Sequence, residues 1–268
     1  MRSSGRLTLM VLTLIFTSPP QMTHAGESPF SVRNTGSVNA GSVAVALLSS
    51  FIIGNIVAWS MGAYPQSFPE KAYSAEEQAI EDDLKQEMAA YPDDMAVKTE
   101  LGQLYFQHNK LDQASAMLGE VVDQLPRNAE ALAIYSANEA KQAGAMWDFT
   151  WGIAKLNRMD RVIEGLNKAV ALDPENATIR LYRMNTLVAF RDRRHHLFKV
   201  FEDEAWFQEK IQAEPDHFPK EMKRHFYQVL MKAHLIAAEK GDTDEMQTQH
   251  RDRAEFYRSR ITPIALNN

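Results

Sequence analysis

Histidines, carboxylates and a run of arginines are the residues in this chain with types and spacing that could do chemistry. His195 and His196 are adjacent, so on a helix they point about 100° apart and cannot share a tetrahedral metal without distant partners. Glu221 and His225 stand four apart and could chelate from one helix face, but no third ligand accompanies them. His217, His234 and His250 follow no known ligand spacing, so no metal site is expected. With no cysteine, disulfides, thiolate metal sites and a cysteine nucleophile are excluded together. The chain holds no glycine-rich phosphate loop, no Gly-x-Ser-x-Gly elbow and no His-Glu-x-x-His. The expectation is therefore a non-enzymatic protein without a cofactor or small-molecule substrate.

Charge and aromatic clusters point instead to binding. Arg180, Arg183, Arg191, Arg193, Arg194 and Lys199 against Asp192 make one stretch +5. Such a patch could receive an acidic partner segment, an anionic lipid surface or RNA, or pair internally with Glu202, Asp203 and Glu204. Residues 146–151 hold Trp147, Phe149 and Trp151 beside Met146. They read either as an exposed partner anchor, as rings packed between lengthened helices, or as a membrane-surface contact. Net charge is -6, with residues 1–69 at +2, which leaves -8 for the remainder. That acidic remainder argues against general nucleic-acid binding.

The elements that would position these residues are helices. Leu101, Gly102, Tyr105, Ala114 and Leu118, closed by Pro126, carry the densest pattern in the chain. Leu101 and Tyr105 share a helix face, Gly102 permits close approach of a second helix, and Ala114 is the small residue facing that gap. The spacing resembles that of a tetratricopeptide repeat (TPR). A second closing motif, Lys168 to Pro174, ends 48 residues after Pro126, against about 34 in an ordinary repeat, and the extra length falls around residues 143–159. Residues 181–188 and 226–237 carry further helix-spaced apolar stripes, and residues 244–261 are polar enough to cap a stack. Glu70 to Asp94 holds nine carboxylates against two lysines and opens on Ser74 with Glu77 three residues on, a capping-box spacing. The expected fold is an all-α, TPR-like helical-hairpin stack of about three to four irregular repeats over residues 76–268.

The N-terminal part is of another kind. Arg2 and Arg6 precede an apolar run over residues 7–16, which spans only about 15 Å as a helix and cannot cross a bilayer. Residues 1–25 therefore read as a signal peptide. Residues 43–63 are uncharged and long enough, at about 32 Å, to span as a transmembrane helix, with residues 26–42 and 64–75 as linkers. If 43–63 spans, the helical domain lies on the cytoplasmic side; if it does not, the domain is exported.

The TPR resemblance implies protein–protein scaffolding. Pairing of N-terminal apolar segments with an acidic helix and such repeats is also similar to bacterial cytochrome c maturation assembly factors, from which the short link between the apolar segments departs. The expected function is a membrane-anchored adaptor or assembly factor holding a peptide or helix of a partner; the alternative is a structural subunit of a transporter or secretion complex. Candidate partner-binding residues are Tyr105, Asn138, Arg180, Arg183 and Arg191 on inner helices, with Trp147 and Trp151. Reversing the charge of Arg180 and Arg183 is expected to abolish capture without lowering the melting temperature.

Overall fold

The structure is a computed structural model that describes residues 40–60, 65–147, 152–192 and 195–265. The expected signal segment 1–25 lies outside the described residues. The chain divides into units Met1–Ala44 and Val45–Asn268. Of the first, only the opening residues of helix α1 (Ala40–Ser60) are described.

Helix α1 has 21 residues, and its Ala40–Val57 window has a mean hydropathy of 2.0. By length and composition it could cross a membrane. Leu47, Leu48, Ile52, Ile56 and Trp59 are all exposed, and Asn55 donates to the Phe51 carbonyl at 2.8 Å. That bond answers the side-chain amide within the helix itself, which lowers the cost of Asn55 in an apolar surrounding.

The remaining described helices are α2 (Ala75–Ala90), α3 (Met95–Gln107), α4 (Leu111–Gln124), α5 (Ala129–Ala145), α6 (Ile153–Leu172), α7 (Ala177–Ala189), α8 (Leu197–Ala213), α9 (Lys220–Lys240) and α10 (Asp244–Ala265). No strand occurs among the described residues. The helix starts follow from short polar side chains that accept from free backbone N–H groups. Ser74 and Glu77 form the reciprocal capping box at α2. Asp94, Asn128 and Asn176 cap α3, α5 and α7.

Consecutive helices pack as hairpins, α3 with α4, α5 with α6, α7 with α8 and α9 with α10, while α3, α5, α7 and α9 neighbour one another as an inner row. The first hairpin works as its residues require. Leu101, Ala114 and Leu118 are fully buried, and a Cβ on Gly102 would lie 2.6 Å from Leu118 Cγ. Gly165 repeats the device in the second hairpin, where a Cβ would meet the Ser136 hydroxyl. One core runs from α2 through the first hairpin to α5 around Leu101 and Ile134, another joins α5, α6 and α7 around Leu132 and Leu166, and a third joins α7 to α10 around Phe207, Phe226 and Tyr257.

The extra length of the second repeat goes into its helices, 17 residues in α5 and 20 in α6. Trp147 is not packed between them; its ring is exposed where the chain leaves α5, because α5 ends at Ala145. Trp151 and Phe149 lie outside the described residues. Not every carboxylate of the acidic α2 faces solvent. Glu81 is buried and pairs with Lys85 at 2.8 Å and Lys110 at 3.4 Å.

Residues 65–73, expected as linker, run extended along the C-terminal ends of α3 and α5. The Gln66 N–H donates to Gly144 O at 2.9 Å, the Lys71 N–H to His108 O at 3.0 Å, and Asn109 Nδ2 to Pro69 O at 2.9 Å. Carbonyls at a helix C-terminus lack intrahelical partners, and this strap supplies them. Tyr73 closes it, with its ring 4.2 Å from that of His108 and the Lys110 ammonium 4.0 Å from its centre.

Candidate docking cleft

Between α3, α5 and α7, beside the strap, lies a cavity of about 230 Å³. Its walls are mostly apolar. Phe106 from α3 and Tyr182 from α7 meet edge to face with centroids 5.8 Å apart, and Phe190 and Met159 continue the lining. Ala137, Ala140 and Gly144 keep the α5 side low, since bulkier residues there would fill the space. Gly144 serves the strap as well: a Cβ on it would come within 3.2 Å of the Phe68 ring.

The polar groups are few. Lys141 Nζ donates to Asn109 Oδ1 at 2.8 Å and to Phe106 O at 3.1 Å, and stands 3.9 Å from the Phe106 ring centre. Lys155 Nζ reaches Gly144 O at 3.4 Å. Asn185 and Thr186 stand on the α7 side. Aspartate and glutamate are absent from the described residues that line the cleft. Burial pushes the Lys141 ammonium down to about 8, and repulsion from Lys71 adds to the shift.

The candidate residues read from the sequence fall elsewhere. Arg180 and Arg183 are buried around the fully buried Asp203 of α8. Arg180 Nη1 donates to Asp203 Oδ1 at 2.5 Å, and Arg183 donates to both carboxylate oxygens at 2.9 and 2.6 Å. Arg180 also lies over the Trp206 ring at 4.5 Å, and Arg183 also donates to Asn167. The pairing is thus internal, with the acidic stretch 202–204. Asn138 is fully buried and fastens α5 to α4 through the Leu111 carbonyl and the Ser115 hydroxyl, at 2.9 and 3.0 Å. Tyr105 is buried in the first core. All four side chains are thus enclosed by their own chain in this conformation, with their hydrogen bonds and packing spent on internal partners. Arg191 is exposed, with a φ of 50° and an ion pair to Glu239 at 2.7 Å. Trp147 is exposed too, but lines none of the cleft.

A second polar cluster joins histidines that the sequence left apart. His234 Nε2 lies 2.9 Å from Glu204 Oε2, and its Nδ1 lies 2.8 Å from His250 Nδ1. Tyr257 donates to Glu204 Oε1 at 2.5 Å, as does Arg253 at 2.9 Å. Burial raises the Glu204 carboxyl, but the hydrogen bonds from His234, Tyr257 and Arg253 outweigh it and hold it at about 2. Burial, with repulsion from His234, lowers His250. No group of three such side chains is placed to hold a metal ion among the described residues, and Glu221 is paired with Arg224.

Stacked hairpins with Gly102 set against Leu118, and an inner row of helices bordering a cleft, make this a TPR-like helical repeat protein. No protein-family model matches the chain, and no curated protein matches it. Among solved structures it is similar to TTC0263, a thermophilic TPR protein of Thermus thermophilus, at 12% identity and a TM-score of 0.46, covering 79% of this chain and 98% of that one. It is also similar to MamA at 15% identity and a TM-score of 0.44, covering 71% of this chain and 90% of that one. The hairpin architecture stands on this chain's own contacts.

Proposed function

We propose that this chain is a membrane-anchored interaction module, an adaptor or assembly factor whose inner-row cleft holds part of a partner protein. The observation that carries the reading is the cleft itself: about 230 Å³ of mostly apolar space between α3, α5 and α7, with two lysines and amides at its edge. Concave apolar sites with a few placed polar groups are where binding concentrates. Anchoring is supported by α1, whose exposed Leu47, Leu48, Ile52 and Ile56 find no cover in the described chain. With α1 spanning, the helical domain faces the cytoplasm. The strap then has a mechanical role, because it fastens the chain leaving α1 to the ends of α3 and α5 instead of leaving a slack tether. The same exposed face of α1 favours a second reading, in which it packs against other transmembrane helices as a structural subunit of a larger complex.

Two measurements test this on the full chain in its native membranes. A photo-reactive residue at Asn185, exposed on the cleft, is expected to give one defined protein adduct, and the same residue at Glu245 on α10 is expected to give none. Adducts of equal yield from both positions, or none from Asn185, would remove the docking reading. Protease added to sealed cells is expected to leave the helical domain intact while the protein stays in the membrane fraction. Digestion of that domain from outside would place it on the other side.

A further inference from the structure

The cleft is electrostatically one-sided. Lys141 puts an ammonium among partners that are all neutral: a backbone carbonyl, an amide oxygen and a ring face. Lys71 opposes it, and the described lining offers it no carboxylate. Lys141 is half-buried, and a partly desolvated cation satisfied by dipoles alone lacks the counter-charge that would offset its desolvation, which an arriving anion supplies. Two of the three ammonium hydrogens are committed to Phe106 O and Asn109 Oδ1, and the third meets no better acceptor than the Phe106 ring face, a weak contact that a carboxylate oxygen would displace. The Phe106 and Tyr182 rings beside it offer an apolar wall. A space of about 230 Å³ suits one apolar side chain with a neighbouring carboxylate, not a whole helix.

We propose that the cleft recognises an acidic side chain next to an aromatic or large aliphatic one in an extended partner segment, with the carboxylate on Lys141 and the apolar group against Phe106 and Tyr182. The proposal rests on the reading of the cleft as a docking site. It assigns specificity to a residue pair, Lys141 with the Phe106–Tyr182 wall, in place of the buried arginines. Because the free ammonium is held down to about 8, a bound carboxylate also makes the complex take up protons. Affinity then falls as pH rises through and above 8, where the ammonium empties.

The test uses the full chain in detergent micelles, with lysine side chains and glycine and threonine amides isotopically labelled, and four-residue peptides of sequence alanine, glutamate, phenylalanine, alanine, acetylated and amidated. Its glutamine counterpart has the same shape without the charge, and a third peptide carries glutamine with a free C-terminus. The glutamate peptide is expected to bind on the order of tenfold more tightly than the glutamine peptide, to shift Gly144 and Thr186 resonances, and to raise the Lys141 titration above its free value. Lys141→Gln removes the preference and Lys141→Arg retains most of it. Lys141 also ties α5 to the end of α3, so Lys141→Gln is read beside the pH series on the unaltered chain, which needs no variant. Equal binding of the two capped peptides, binding that does not weaken from pH 7 to 9, or preference for the free C-terminus overturns the proposal. If Asn185 still cross-links a defined partner while the peptides show no preference for glutamate, docking stands and only the acidic specificity falls.

Discussion

Asp203 is the position where a single change has the most to say. The carboxylate is fully buried and accepts from Arg180 at 2.5 Å and from Arg183 at 2.6 and 2.9 Å. Asp203→Ala leaves two guanidiniums enclosed. Arg180 then keeps the Pro174 carbonyl, the Trp206 face and the more distant charge of Glu175, and Arg183 keeps Asn167. Removing one member of a buried ionic group costs about 3–5 kcal/mol, and at about 2–4 °C per kcal/mol for a domain of this size the melting temperature should fall by roughly 6–20 °C. The same logic reverses the expectation that charge reversal at Arg180 and Arg183 spares stability: Arg183→Glu sets two carboxylates against each other in a dry site, and the domain should melt early. Thermal unfolding of the full chain, followed by circular dichroism at 222 nm, measures both. The triple variant Arg180→Met, Arg183→Met, Asp203→Leu removes the whole group together and should recover most of the loss, since a buried ionic cluster is often replaceable by apolar residues of similar size. An Asp203→Ala protein melting within about 2 °C of the parent would refute the reasoning, because a shift that small corresponds to under about 1 kcal/mol.

Other perturbations follow from the same contacts. Gly102→Val should destabilise by about 1–3 kcal/mol, because even a Cβ lies 2.6 Å from Leu118 Cγ; in a Leu118→Ala background the added cost should largely vanish, as read by urea unfolding. Urea midpoints should also fall in two steps on acidification. His250 is lowered from 6.5, so the unfolded chain takes its proton first, and stability present above pH 6.5 is lost below it. Glu204, held at about 2 against 4.5, adds stability above pH 4.5 that is lost as pH falls toward 2. His250→Phe should remove the upper step and leave the lower one; a midpoint unchanged between pH 7.5 and 5.5 in the parent would contradict the first assignment.

How much of this was legible in the sequence depends on the range of the interaction. The cap at Ser74 acts within three residues, so local pattern is enough to place the start of α2. The all-α class, the hairpin held by Gly102, Ala114 and Leu118, and an apolar helix near residues 43–63 are likewise consequences of spacing along one chain. The candidate site was another matter. Inner helices of stacked hairpins are covered on two sides, so apolar periodicity marks them as buried without telling which side faces the cleft. On α7, Arg180 and Arg183 turn to α8, whereas Tyr182, Asn185 and Thr186 face the cleft, a rotation of two or three residues at about 100° each.

Tertiary structure alone decided which charges meet. Asp203 takes both arginines from 20 and 23 residues away, and His250 comes to His234 across 16. Lys141 lies within hydrogen-bonding reach of Asn109 because the end of α3 is laid beside α5. The strap is the clearest instance, since Gln66, Lys71 and Pro69 bond through their backbones, and every residue carries the same backbone groups. Side-chain pattern records what each helix needs to bury; only the packed chain determines where a polar group ends up, as when burial and Lys71 bear on the Lys141 ammonium.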